Sequence, residues 1–237
     1  MGKYNSSLTR VVPVFDALLK KDPGGRQWLL PLLKLGSSSK GKLKGLSDHL
    51  ADNHVCWWGD KERRLLPPSS LLKWLVQNVT APANDSLWGS PATREKRELL
   101  VAKDPDTIAE ALILLEGPYK SAWYVLEGRS QPDVFLEAKD FILAVEGKRT
   151  ERTATTTTTW MPSRSQMLRH MDAAWEISCG KKVFGLMIVE GAEPDAMIPS
   201  EHWLRESSKV VMAQTLEKSL PHRNPYEREQ IAQGRHN

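Results

Sequence analysis

Pro132-Asp133-Val134-Phe135-Leu136-Glu137-Ala138-Lys139-Asp140-Phe141-Ile142-Leu143-Ala144-Val145-Glu146-Gly147-Lys148 is the stretch on which the fold turns. It holds two strand-forming runs, residues 134–138 and 141–145, and the second is so uniformly apolar that it predicts a strand central in a sheet. Lys139-Asp140 between them suits a tight reversal, because aspartate tolerates turn geometry. A hairpin centred there pairs positions whose numbers sum to roughly 279 or 280, which sets Asp133 opposite Glu146 and Gly147. Side chains alternate along a strand, so Glu146 and Lys148 share a face while Gly147 turns away and offers its carbonyl to a ligand.

Two carboxylates and the Gly147 carbonyl make a hard oxygen site of the kind Mg²⁺ prefers, with Mn²⁺ as a substitute and positions left for water and a phosphate oxygen. Lys148 separates a hydrolytic reading from a purely structural metal site, since an ammonium there can hold the attacking water or neutralise charge in the transition state. Asp140 is the rival first ligand, but a turn position points it away from the strand ends. The plain alternative is an edge hairpin ending in a solvated Glu146–Lys148 ion pair.

Outward from the hairpin, apolar spacing predicts helices at residues 11–20 and 26–35, one capped by Ser69 or Ser70, and another over 95–101. Asp104-Pro105 supplies an N-cap and a first-turn proline for a further helix ending at Gly117. Residues 122–127 read as a strand before the hairpin. Downstream come a helix capped by Ser163 and running through Trp175, a buried strand over 183–189, and a helix over 200–219. From residue 104 the order is therefore helix, three strands, helix, strand.

Two cysteines, Cys56 and Cys179, are too few for a disulfide framework or an all-cysteine zinc site, and they suit a reducing compartment. The N-terminus lacks a secretory pattern and no run reaches the roughly 20 apolar residues of a membrane span, so a cytoplasmic location and no membrane partner are expected. Residues 1–65 hold 12 Lys or Arg against 6 Asp or Glu, whereas the remainder holds 21 against 23. A basic N-terminal part favours a polyanionic partner through counterion release. Asp48, His49, Asp52, His54 and Cys56 have metal-ligand types without paired zinc spacing, which reads better as a polar helix end. Phosphate-cradling glycine loops and a Gly-x-Ser-x-Gly elbow are absent.

Pro132-Asp133, twelve intervening residues, and Glu146-Gly147-Lys148 together resemble the PD-(D/E)xK motif of the restriction-endonuclease-like superfamily, and the element order resembles its αβββαβ core. The resemblance covers about residues 104–190. It implies an α/β (α+β) fold with a mixed central sheet flanked by helices, plus a helical N-terminal extension. It implies a Mg²⁺-dependent nuclease, acting more on DNA than RNA, with Asp133 and Glu146 as metal ligands and Lys148 as catalytic lysine. By the same carry-over Glu110, with Glu116 second, is the glutamate of the first core helix, and Gln166 is the polar residue on the helix after the third strand. The expected organisation is a basic helical region over 1–100, a nuclease-like core over 101–220 and a polar tail over 221–237. A module that keeps the fold without cleavage is the competing expectation. Oligomeric state stays open, a homodimer included.

Overall fold

The computed structural model describes residues 11–36, 43–51, 61–82, 84–148, 160–161, 164–189, 201–210 and 212–236. In chain order these form α1 (Val12–Lys21), α2 (Leu29–Gly36), α3 (Ser69–Asn78), α4 (Pro91–Val101), α5 (Pro105–Leu115), β1 (Val134–Glu137), β2 (Phe141–Lys148) and α6 (Gln166–Glu176). After them come β3 (Lys182–Val189), α7 (Glu201–Val210), α8 (Ala213–Ser219), α9 (Pro225–Gln233) and the two-residue β4 (Arg235–His236). The class is mixed α/β, with one sheet ordered β1-β2-β3-β4.

The hairpin has the register that its sequence dictates. β1 and β2 are antiparallel with Val134 opposite Val145 and Glu137 opposite Ile142, and the Ala138 N–H donates to the Phe141 carbonyl at 2.8 Å to close the turn. β3 runs parallel to β2, Glu146 lying beside Met187, because the connection between them passes through α6. Outside β1, Leu50 and Leu65 make isolated antiparallel bridges to Ala138 and Ser130.

Alternation divides the core into two faces. Val134, Leu136, Leu143 and Val145 point to one side, where Phe15 of α1, Trp28, and Leu29 and Leu33 of α2 bury them. Phe135 and Ile142 point to the other, against Met167, Leu168 and Met171 of α6 and Leu216, Leu220 and Ile231 farther along. Gly185 of β3 makes the second face possible, since a β-carbon there would lie 2.6 Å from the sulfurs of both Met167 and Met171. A third cluster joins α3, α4 and α5 through Leu71, Leu75, Leu100 and Ala111 to Tyr124, Leu126, Trp160 and Met161.

The hydrophobic clusters thus divide elsewhere than at residue 100: α1 and α2 belong with the sheet, and α3 to α5 with one another. Residues 122–127, expected as a strand, form turns and irregular chain. Tyr124 and Leu126 are drawn into the α3–α5 cluster, while Arg97 donates to the Trp123 and Val125 carbonyls at 3.0 and 3.5 Å, so side-chain contacts take up what a strand ladder would have satisfied. The expected tail over 221–237 contains α9, opened by an Asn224–Glu227 capping box and burying Ile231. The helix expected over 200–219 is divided into α7 and α8; the N-cap of α6 is Ser165, and the expected cap Ser163 lies outside the described residues.

Candidate active site

Glu146 and Lys148 leave β2 on the face covered by α6, as alternation requires once Val145 points to α1 and α2. There the Lys148 ammonium lies 3.0 Å from Glu146 Oε1. Gln166, the first residue of α6, bridges the pair: its Oε1 accepts from Lys148 Nζ at 2.7 Å and its Nε2 donates to Glu146 Oε1 at 2.7 Å. That amide orientation is dictated by its neighbours, because the reverse would set an NH₂ group against an ammonium. One turn on, His170 Nε2 lies 3.1 Å from Glu146 Oε2, and its Nδ1 lies 2.6 Å from Ser130 Oγ. Glu146, His170 and Ser130 are all buried.

Asp133 precedes β1, and continuing the hairpin register sets it opposite Glu146. Its Oδ2 accepts the Gly147 N–H at 2.7 Å. A strand residue sends its N–H and C=O to the same edge, so the Gly147 carbonyl emerges on the Asp133 side as well. Glycine is required here by close approach: a β-carbon at 147 would overlap the Val11 side chain and lie 3.4 Å from Asp133 Oδ2.

The two carboxyls are driven apart in acidity. Burial, and then the charge of Glu146, push Asp133 up to about 7, with Glu62 adding to the rise and the Gly147 N–H opposing it. Burial alone would raise Glu146 too, but the hydrogen bond and charge of His170 and the Lys148 ammonium outweigh it and hold that group below its ordinary range. Packed carboxylates beside a single lysine are the surroundings a divalent cation would neutralise, and Asp133, Glu146 and the Gly147 carbonyl are hard oxygen donors of the right kind. Among the described residues, no group of three or more His, Cys, Asp or Glu side chains is arranged to hold a metal. Mg²⁺ is commonly bound through one or two carboxylates plus waters, so two carboxylates and one carbonyl are donors of a compatible kind.

Asp133, Glu146, Gly147, Lys148 and Gln166 are brought together as the sequence reading expected. Glu110 is not brought to them: it lies on α5, where its carboxylate meets Lys96 at 2.6 Å in an exposed pair, because α5 packs on α3 and α4 rather than on the sheet. Glu116 likewise meets Lys73 at 2.6 Å. Asp140 accepts from the Ser47 N–H at 2.9 Å at the turn, which removes it as a rival. His170, four residues after Gln166 on α6, is 3% exposed and faces Glu146. Ser130 and Glu62 were missed, and no local pattern marks them, since the Leu65–Ser130 pairing that brings their segments together is long-range. Asp48 and His49 bond each other at 2.8 Å, and Asp52, His54 and Cys56 lie outside the described residues.

A cavity of about 400 Å³ is lined by Trp175, Lys182, Tyr226, Gln230 and Gln233. It borders the start of β3, which lies beside Phe141 at the far end of β2 from Lys148, so it is separate from this chemistry. Among the described residues, no helix is long and apolar enough to cross a membrane. Comparison with protein-family models, with curated proteins and with solved structures returned no match to this chain.

Proposed function

We propose that the chain is a Mg²⁺-dependent phosphodiesterase that cleaves nucleic acid, DNA more than RNA, on a restriction-endonuclease-like core. The observation that carries this reading is the Glu146–Gln166–Lys148 chain beside Asp133: an ammonium and a carboxylate bridged by one amide, with a second carboxylate held next to them by the Gly147 N–H. The antiparallel β1–β2 pair, the parallel β3 reached through α6 and the edge segment bridging Ser130 support the fold assignment.

When bound, Mg²⁺ would supply Lewis acidity and lower the pKa of a coordinated water. Asp133 and Glu146 would hold it, with the Gly147 carbonyl as third donor. Lys148, fixed by Gln166, stabilises negative charge as it builds on the phosphoryl oxygens. The basic balance of residues 1–65 suits the polyanionic substrate.

The test is cleavage of labelled DNA and RNA by the full chain with Mg²⁺ or Mn²⁺, wild type against Lys148→Ala. Removing one such charge-stabilising group lowers kcat by about 10²–10³-fold. Cleavage that survives Lys148→Ala unchanged would refute the proposal. A second reading, a nucleic-acid-binding module without cleavage, is favoured by the lack of a three-ligand metal group among the described residues. Nucleic-acid binding without calorimetric Mn²⁺ binding selects it.

A further inference from the structure

Ser130, His170 and Glu146 form a series with the connectivity of a nucleophilic triad, Ser130 Oγ to Nδ1 at 2.6 Å and Nε2 to Glu146 Oε2 at 3.1 Å. The surroundings argue against a serine nucleophile. Ser130 is 2% exposed, its N–H donates to the Leu65 carbonyl and its carbonyl accepts the Leu65 N–H, both at 2.8 Å. The cavity lined by Trp175 and Tyr226 is not bordered by it.

Counting lone pairs gives the series another role. A carboxylate offers about four acceptor sites, two on each oxygen. On Glu146, Oε1 receives Lys148 and Gln166, whereas among the described residues Oε2 receives His170 alone. The remaining direction therefore lies on Oε2, the oxygen that His170 holds. An ionised carboxylate only accepts, so Nε2 is the donor; a hydroxyl can donate or accept, so Ser130 steadies the ring in either of its states. α6 carries Gln166 and His170 four residues apart and thereby fixes both oxygens from one helix face.

Resting on the metal-dependent reading above, we propose that His170, backed by Ser130, is a positioning relay that turns Glu146 Oε2 toward the catalytic cation. Hydrogen-bond partners of a metal ligand typically contribute about 10–100-fold to metal affinity. His170 contacts neither phosphate nor water of the reaction in this scheme, and Ser130 forms no covalent bond.

The experiment is Mn²⁺ calorimetry on the full chain, with circular dichroism and metal-free melting to verify folding, for wild type, His170→Phe, His170→Gln and Ser130→Ala. His170→Phe should weaken Mn²⁺ binding about 10–100-fold and lower kcat while leaving the KM for nucleic acid nearly unchanged. His170→Gln, which keeps an N–H donor, should recover part of the loss. Ser130→Ala should give a smaller loss of the same kind, and it reads the relay should His170→Phe fail to fold. A purely structural histidine would lower the melting temperature without moving Mn²⁺ affinity. Wild-type Mn²⁺ affinity in a folded His170→Phe or Ser130→Ala protein overturns the relay and leaves the metal-dependent reading standing. A wild-type chain that binds no Mn²⁺ overturns both. Covalent labelling of Ser130 by a fluorophosphonate overturns the relay in favour of a nucleophile.

Discussion

Asp133 and Glu146 are neighbouring carboxyls that the fold treats in opposite ways, and the difference lies in which donors reach them. Glu146 faces Lys148, Gln166 and His170, whereas Asp133 receives the Gly147 N–H and stands against two further negative charges. Its proton affinity is raised to about 7, so in the metal-free protein the stability that protonation of this one group contributes is fully present below the unfolded value near 4 and is lost as pH rises through about 7. Asp133→Asn, a mimic of the protonated carboxyl, should therefore be more stable than wild type at pH 8 in chelator. The advantage should disappear at pH 4, as read by urea denaturation at both values, and equal stability at pH 8 would contradict this electrostatic account. The sequence displays Asp133, Glu146 and Lys148 because strand alternation and a two-residue turn are local rules. Ser130 escapes those rules, since it reaches His170 across 40 residues of chain.

At the scale of elements, α6 must stay fixed on the sheet for Gln166 and His170 to hold Glu146, and a buried ionic knot does this. Asp172 of α6 accepts from Arg164 at 2.7 Å and from Arg223 at 2.8 Å, with His222 3.1 Å away, so the chain after α8 is tied to the helix carrying the site. Arg169 adds bonds to the Gly128 and Arg129 carbonyls, at 2.9 Å each, just before Ser130. Burial alone would raise the Asp172 carboxyl, but the charge of Arg164, the His222 hydrogen bond and the charge of Arg223 hold it far below the ordinary carboxylate range. A depressed folded value contributes stability above the unfolded pKa near 4 and forfeits it as pH falls further. Asp172→Asn removes the counter-charge that Arg164 and Arg223 share and leaves them to Glu127 and to Glu176 and Glu227 respectively, so it costs less than the roughly 3–5 kcal/mol of a fully uncompensated buried charge. The variant should also lose less stability than wild type between about pH 5 and pH 2. An unchanged urea midpoint at pH 7 would show that the knot is dispensable. Periodicity displays α6 plainly, but the knot depends on Arg223, 51 residues from Asp172, and no sequence spacing reports that.

For the whole molecule, the basic first third reads in sequence as a separate substrate-selecting extension, because its charge is conspicuous and its helices look self-contained. The structure gives α1 and α2 another task. Phe15, Leu29 and Leu33 are fully buried against Val134, Leu136, Phe141, Leu143, Val145 and Phe184, and Val11 sits where any side chain at 147 would have to go. Apolar spacing locates those helices correctly but cannot say which apolar face they cover, since that partnership is made across more than 100 residues. Lys20, Lys21 and Lys34 of the same helices are exposed, so covering the core leaves the proposed polyanion contact compatible with this packing. The consequence is testable by deleting residues 1–36. If these helices only selected substrate, the shortened chain would stay soluble and cleave with weakened binding. With one sheet face stripped of its cover, it should instead be recovered as insoluble or dye-binding protein with the apolar residues of β1 and β2 exposed. Soluble expression, together with binding of a fluorescent apolar dye by any soluble fraction, decides between the two. A monomeric, non-dye-binding truncation that melts cooperatively would show that α1 and α2 are an appendage after all.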